Sequence, residues 1–184
     1  QVRITEGPDT SRITASSPSA VFHSGSPEAT LTSPPIADPI KDTRQWGRTK
    51  WVFDLGQNMV GRIRLNVKGP AGATLTIRHA EILNSDGTIY TTNLRTAKQT
   101  DHYTLRGGGW EVYEPHFTFH GFRYVEISGG PAEMTFTRAS VTGIVLYSNI
   151  PMTGRFECSE PLLNQFYRNV QWGHRGNFLD IPTD

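Results

Sequence analysis

Val60-Gly61-Arg62-Ile63-Arg64-Leu65-Asn66-Val67 is the stretch on which the fold turns. Ile63, Leu65 and Val67 fall on one side of an extended chain and Arg62, Arg64 and Asn66 on the other, the two-residue period of a half-buried strand. Downstream, Lys68-Gly69-Pro70-Ala71-Gly72 supplies turn chemistry. Ala73 to Ala80 then alternates again, with Leu75 and Ile77 inward and Thr74, Thr76 and Arg78 outward. The two segments are expected to form a hairpin. Asn84-Ser85-Asp86-Gly87 is another turn, since Asn and Asp bond their own backbone and Gly accepts positive φ. Tyr103-Thr104-Leu105 runs into the Arg106-Gly107-Gly108-Gly109 turn. Trp110–Tyr113, Phe117–Phe119, Arg123–Ile127, Met134–Thr137 and Val141–Tyr147 read as further short strands between Gly, Pro and Ser signals. Short strands with regular turn signals and no helical pattern between them predict a mainly β fold, an antiparallel β-sandwich from about Lys50 to Ser148.

Upstream, Gln1 to about Arg48 is crowded with Ser, Thr and Pro and shows neither strand nor helix periodicity. Its prolines lack backbone donors and push their predecessors toward extended conformations, which predicts a loop-rich lead-in. Alternatively, Val2-Arg3-Ile4-Thr5 is the last strand of an upstream domain. After Asn149-Ile150-Pro151 the period shifts. Ser159 is a good N-cap, Glu160 and Pro161 suit a first turn, and Leu162, Phe166 and Val170 recur every four residues beside Leu163 and Tyr167. A helix is expected from about Glu160 to Trp172. Its apolar stripe needs a partner, either a following helical domain or the sandwich itself. The organisation is therefore read as residues 1–48 lead-in, 49–150 sandwich, and 151–184 linker and first helix of a truncated domain.

The 184 residues carry Lys+Arg 18 against Asp+Glu 17, a formal charge of +1, which leaves no electrostatic footprint for nucleic acid. The single cysteine, Cys158, excludes an internal disulfide framework and a Cys-rich zinc cage, but it assigns no compartment. No apolar run approaches the length that spans a bilayer, and the N-terminus lacks a signal-peptide layout, so a soluble chain without a membrane partner is expected.

Candidate chemistry is sparse. His116 and His120 stand four apart, the spacing of two metal ligands on a helix. On a strand, at about 3.3 Å per residue, they lie roughly 13 Å from each other, too far to share an ion. His79 and Glu81 share a strand face, which suggests a hydrogen-bonded pair at the sandwich rim more than a two-ligand site. No metal and no cofactor is expected. The glycines of Arg106–Trp110 lack the Lys-Ser/Thr and the following helix of a phosphate cradle. Asp54, Glu81, Asp86, Asp101, Glu111, Glu114 and Glu126 are spread over separate segments with no sign of the spacing that glycoside hydrolysis needs. Cys158 has no neighbouring base. Trp46, Trp51, Trp110, Tyr90, Tyr103, Phe117, Phe119, Phe122 and Tyr124 are candidates for a sugar-stacking platform, although a core role is expected for most.

Trp51-Val52-Phe53-Asp54-Leu55-Gly56-Gln57-Asn58-Met59-Val60-Gly61, Arg78-His79-Ala80-Glu81-Ile82-Leu83, Asn93-Leu94-Arg95, Thr100-Asp101-His102-Tyr103-Thr104-Leu105 and Phe117-Thr118-Phe119-His120-Gly121-Phe122-Arg123-Tyr124 stand in fixed order. Gly154-Arg155-Phe156-Glu157-Cys158-Ser159, Asn177-Phe178 and Ile181-Pro182-Thr183-Asp184 follow. This series resembles the bacterial-type α-L-rhamnosidases of glycoside hydrolase family 78 from Trp51 to the end of the chain. The resemblance implies a concanavalin-like β-sandwich followed by the first helix of an (α/α)6 barrel. It also implies inverting hydrolysis of terminal α-L-rhamnose by a general acid and a water-activating base. In the family the acid lies in a Cys-Pro-Gln-Arg-Asp-Glu-Arg motif, which would follow Asp184, and the base lies far downstream. Neither is in this chain, which is expected to be inactive alone, its substrate partner a rhamnosylated glycoside held by the missing domain. Asp184 corresponds to the family aspartate that contacts rhamnose, where a carboxylate can accept from two sugar hydroxyls. The resemblance gives Asp54, Gln57, Asn58, His79, Glu81, His120 and Arg123 structural or interdomain roles. The alternative is a non-catalytic carbohydrate-binding or support module.

Overall fold

The computed structural model describes residues 13–14, 19–22, 28–32, 50–151 and 153–183, the first three segments by backbone alone. Among these, β1 (Ile13–Thr14), β2 (Ser19–Phe22), β3 (Glu28–Thr32), β4 (Lys50–Lys68), β5 (Thr74–Ala80), β6 (Thr100–Thr104), β7 (Trp110–Tyr113), β8 (His120–Gly129) and β9 (Val141–Leu146) form one sheet. The order is β1-β2-β3-β9-β4-β8-β5-β6 with β7 on β4, and each pairing is antiparallel. A helix, α1 (Pro161–Asn177), and a small hairpin of β10 (Phe178–Leu179) and β11 (Ile181–Pro182) follow.

The 19-residue β4 explains how one sheet makes a two-sided core. Its first part pairs with β8, the register shifts between Asp54 and Met59, and Gly61 then faces both His120 of β8 and Val145 of β9. Further on, Leu65 lies between Val141 of β9 and Tyr113 of β7. The strand thus leaves one arm and enters the other, the corner geometry that a register irregularity permits. Glycine is required at the crossing, because a Cβ on residue 61 would run into the Ile144 carbonyl. Phe53, Leu55, Ile63 and Leu65 of β4 meet Leu75 and Ile77 of β5, Phe122, Val125 and Ile127 of β8, and Val141 and Val145 of β9 in one buried cluster. Mainly antiparallel β structure with a C-terminal helix is therefore what this sequence forms.

The alternation read from Ile63 to Val67 and from Leu75 to Ile77 is present, with these residues at most 2% exposed. The expected hairpin between those segments is not: β8 lies between β4 and β5. Alternation sets which face a strand buries but does not choose its neighbour. Phe117–Phe119 and Met134–Thr137 are irregular, the latter burying Met134 and Phe136 from a loop. Within the lead-in, β3 pairs with β9 and extends the sheet outward through β2 and β1, so this segment is not wholly loop. Val2 to Thr5 lie outside the described residues.

The helix is longer than its apolar repeat suggests and is capped differently. Glu160, not Ser159, is the N-cap, its side chain accepting from the Leu162 amide at 3.1 Å, and Pro161 opens the first turn. The C-terminal extension follows from tertiary contact. Trp172 packs against the core cluster, Arg175 lies over Trp172 and Tyr147 at 5.1 and 5.7 Å, and Gly176 lies beside Val60, where a Cβ would make ordinary contact at 3.4 Å.

Candidate functional site

The polar residues of the quoted motifs bind one another. His79, wholly buried on β5, receives the Gln99 carbonyl from two sides: its backbone N–H donates at 3.0 Å and its Nδ1 lies at 3.1 Å. A carbonyl only accepts, so Nδ1 carries the proton and Nε2, buried without a hydrogen-bond partner, carries the lone pair. The ring stacks on His120 at 4.2 Å and meets Phe122 edge-on at 4.7 Å. His120 Nε2 bonds Asp101 Oδ2 at 3.0 Å. Burial, then the neighbouring His120, pushes the His79 imidazole down to about 4. Burial works against ionisation of Asp101, but the hydrogen bond and attraction to His120 outweigh it and hold its carboxyl below the usual range.

One ligand atom from each of His79, Asp101 and His120 falls within 4.8 Å of the others, a third partner that strand spacing alone did not reveal. A metal, however, sits in the plane of each imidazole that binds it. Rings only 27° from parallel at 4.2 Å aim their lone pairs side by side, so this arrangement is a packed polar core. His116 is elsewhere, exposed on a bend beside Phe117.

Glu81 does not pair with His79 as expected from their shared face. It accepts from Asn58 Nδ2 at 2.9 Å and Asn93 Nδ2 at 3.3 Å, while His79 turns into the core. The other acidic candidates are similarly committed. Asp54 takes a two-pronged contact from Arg123, 2.7 Å at each oxygen, and its Oδ1 also accepts from the Gly56 amide at 2.7 Å. Asp86 accepts from the amide and hydroxyl of Thr88, Glu114 bridges Arg62 and Arg64, and Glu126 pairs with Arg78. Glu111 fills the glycine turn. Its carboxylate accepts from the Arg106 and Gly107 amides at 2.9 and 2.8 Å and from the Tyr103 hydroxyl at 2.7 Å, so the chain supplies its own anion there. The Tyr103 hydrogen bond and these amides lower the Glu111 carboxyl, and the same contact raises the Tyr103 phenol. Cys158 is half-buried and held by its backbone to the Asn164 side chain.

The aromatics divide. Phe122 is buried, Trp51 packs edge-on to Phe136 and Tyr103 stacks on Tyr113, as a core role requires. Trp110, Phe117 and Phe119 instead stand exposed, and Trp46 lies outside the described residues. On α1, Leu162, Leu163, Phe166 and Val170 are 51 to 77% exposed, and no described helix residue is buried. The helix therefore offers an uncovered apolar stripe at its N-terminal end and is anchored at its C-terminal end. Asp184 lies outside the described residues. The hairpin before it is tied to both neighbours. Ser148 donates its N–H to Phe178 O at 2.7 Å and accepts from the Asp180 amide at 2.8 Å, and the Thr183 hydroxyl bonds Asn177 O at 3.0 Å.

Residues 44–147 match the model of the bacterial α-L-rhamnosidase concanavalin-like domain. The chain belongs to the bacterial α-L-rhamnosidase family. Residues 151–184 match the family's 6 hairpin glycosidase domain. An α-L-rhamnosidase of Streptomyces avermitilis is 59% identical over 134 residues, covering 73% of this chain and 13% of that protein. One from Formosa agariphila is 52% identical over 133 residues, 72% of this chain and 14% of the relative. Among solved structures, the S. avermitilis enzyme complexed with L-rhamnose superimposes with a TM-score of 0.71 at 52% identity, covering 84% of this chain and 15% of that one. The native Aspergillus terreus enzyme gives 0.72 at 43% identity, covering 84% and 18%. The chain thus spans 13 to 14% of the length of these two curated relatives.

Proposed function

We propose that this chain is the β-sandwich and the opening of the glycosidase domain of an α-L-rhamnosidase that removes terminal α-L-rhamnose from glycosides. The observation that carries the reading is the order of the two family matches, sandwich then glycosidase, meeting between residues 147 and 151. The exposed stripe on α1 supports it, since helices packed against Leu162, Phe166 and Val170 are what a helical barrel would supply. Hydrolysis with inversion requires one carboxyl that protonates the leaving oxygen and another that activates water from the opposite face. The internal ion pairs and hydrogen bonds of Asp54, Glu81, Asp101, Glu111, Glu114 and Glu126 support placing both beyond residue 184. Asp54, Gln57, Asn58, His79, Glu81, His120 and Arg123 then act as a scaffold and Asp184 as a ligand for two rhamnose hydroxyls. The tied hairpin before it would fix that carboxylate relative to the sandwich.

The test uses an aryl α-L-rhamnoside. The chain alone is expected to show no turnover, and the protein extended through the glycosidase domain is expected to release β-L-rhamnose first, followed by proton NMR of the anomeric signal. Turnover by the chain alone, or α-L-rhamnose as first product, contradicts the reading.

A further inference from the structure

On its outer surface, the β5–β6 pair floors an open pocket of about 320 Å³, bordered by the loop that carries Thr91 to Lys98. The lining brings together Arg78, Arg95, Lys98 and His102 with the hydroxyl-bearing Thr91 and Thr100, and no carboxylate among the described residues lines it. Cross-strand register explains the floor: Arg78 lies opposite Thr100 and Thr76 opposite His102, all on the face turned away from the core. Two of these groups are already positioned. Arg78 Nη1 is held by Glu126 at 3.3 Å, and His102 Nδ1 lies 3.3 Å from Thr76 Oγ1. Arg95 and Lys98, both exposed, have no acidic partner among the described residues. Arg95 and Gln99 hold positive φ, 54° and 44°, a conformation that is costly for residues with a side chain and that recurs where a loop is shaped for binding.

Cations facing a concave space with hydroxyls beside them suit an anion that also carries hydroxyl groups. A space of about 320 Å³ is large enough for a single sugar residue, and a formal charge of +1 makes the chain as a whole a poor polyanion binder. We propose that this cavity binds an anionic sugar residue, carboxylated or sulfated, of the glycan that the parent rhamnosidase acts on, with Arg95 and Lys98 on the anion and Thr91 and Thr100 on ring hydroxyls. The assignment rests on the rhamnosidase reading above and adds a binding site to it. Neutral rhamnosides would not use this site.

Calorimetric titration of this chain with glucuronic acid, a monosulfated hexose, the neutral parent hexose and inorganic sulfate tests it. The expected result is millimolar binding of at least one anionic sugar, at least about tenfold tighter than the neutral hexose. The ranking of the two anionic sugars distinguishes carboxylate from sulfate. Arg95→Gln and Lys98→Gln, exposed positions whose replacement leaves the core intact, should each weaken binding by up to about fivefold. Absence of binding, equal affinity for the neutral hexose, unchanged affinity in both variants, or inorganic sulfate binding as tightly as either sugar would each overturn the proposal. Failure of the parent protein to cleave an aryl rhamnoside would instead sink the activity reading and leave these titrations standing.

Discussion

Mild acid should destabilise this domain through His79. Its imidazole falls from 6.5 in the open chain to about 4 when folded, because burial and the stacked His120 disfavour the charged ring. A base whose pKa is depressed by folding binds more protons unfolded, so stability is complete above 6.5 and is lost as pH falls toward 4. Linkage over that interval gives a loss of about 2 kcal/mol between pH 7.5 and 5, reaching about 3 kcal/mol at pH 4. For a domain of this size the first step corresponds to a fall of about 4–8 °C in Tm. The charged group facing the ring is Asp101, with His120 stacked on it, and His102 acts on Asp101 from the same strand. Asp101 has a lowered pKa, so its own loss of stabilisation falls below the window in which His79 titrates. Urea unfolding at half-unit pH steps measures the slope. His79→Asn keeps a donor to the Gln99 carbonyl but cannot titrate, so it should start less stable and show a nearly flat profile from pH 7 to 5. A wild-type loss under about 0.5 kcal/mol across that range, or an equal slope in the variant, would refute the reasoning.

Two other substitutions probe the framework. Gly61→Ala should cost about 2 kcal/mol or more in chemical denaturation, because the added Cβ meets the Ile144 carbonyl, a backbone atom that cannot move without breaking the β4–β9 pairing. Glu111→Gln should lower the Tyr103 phenol toward its ordinary value of 10.0, read by ultraviolet titration, and speed amide exchange at Arg106 and Gly107; an unchanged phenol would show that the carboxylate is not what raises it.

Much of the fold was legible because side-chain alternation is a local property. Ile63, Leu65 and Val67 announce their buried face whatever strand lies beside them, and Leu162, Phe166 and Val170 announce a helix. Strand order is not local. Nothing between Lys68 and Ala73 indicates that β8, some fifty residues on, separates β4 from β5, and the turn chemistry there joins two strands that are not neighbours. The polar clusters were hidden for the same reason. Asp101 joins His79 and His120 only once β6 lies beside β5 and β8 on its other edge. The cap moved from Ser159 to Glu160 because a longer carboxylate reaches the Leu162 amide, and the helix ran past Trp172 because Arg175 and Gly176 found tertiary contacts. The exposed Trp110, Phe117 and Phe119 escaped a composition-based reading, which assigns aromatics to the core without knowing which face of a strand or loop is covered.

The shared strand β4 also bears on how the domain comes apart. Hydrogen bonds from one continuous backbone close the arm that contains β8 and the arm that contains β9, with Gly61 belonging to both ladders. Both ladders also bury their side chains in one cluster, so freeing β4 from either neighbour opens the common core, and the two arms should exchange their amide protons in a single cooperative event. A rhamnosidase built on this sandwich would then have a support that either holds as a whole or fails as a whole, without a half-open state in which one layer survives the other.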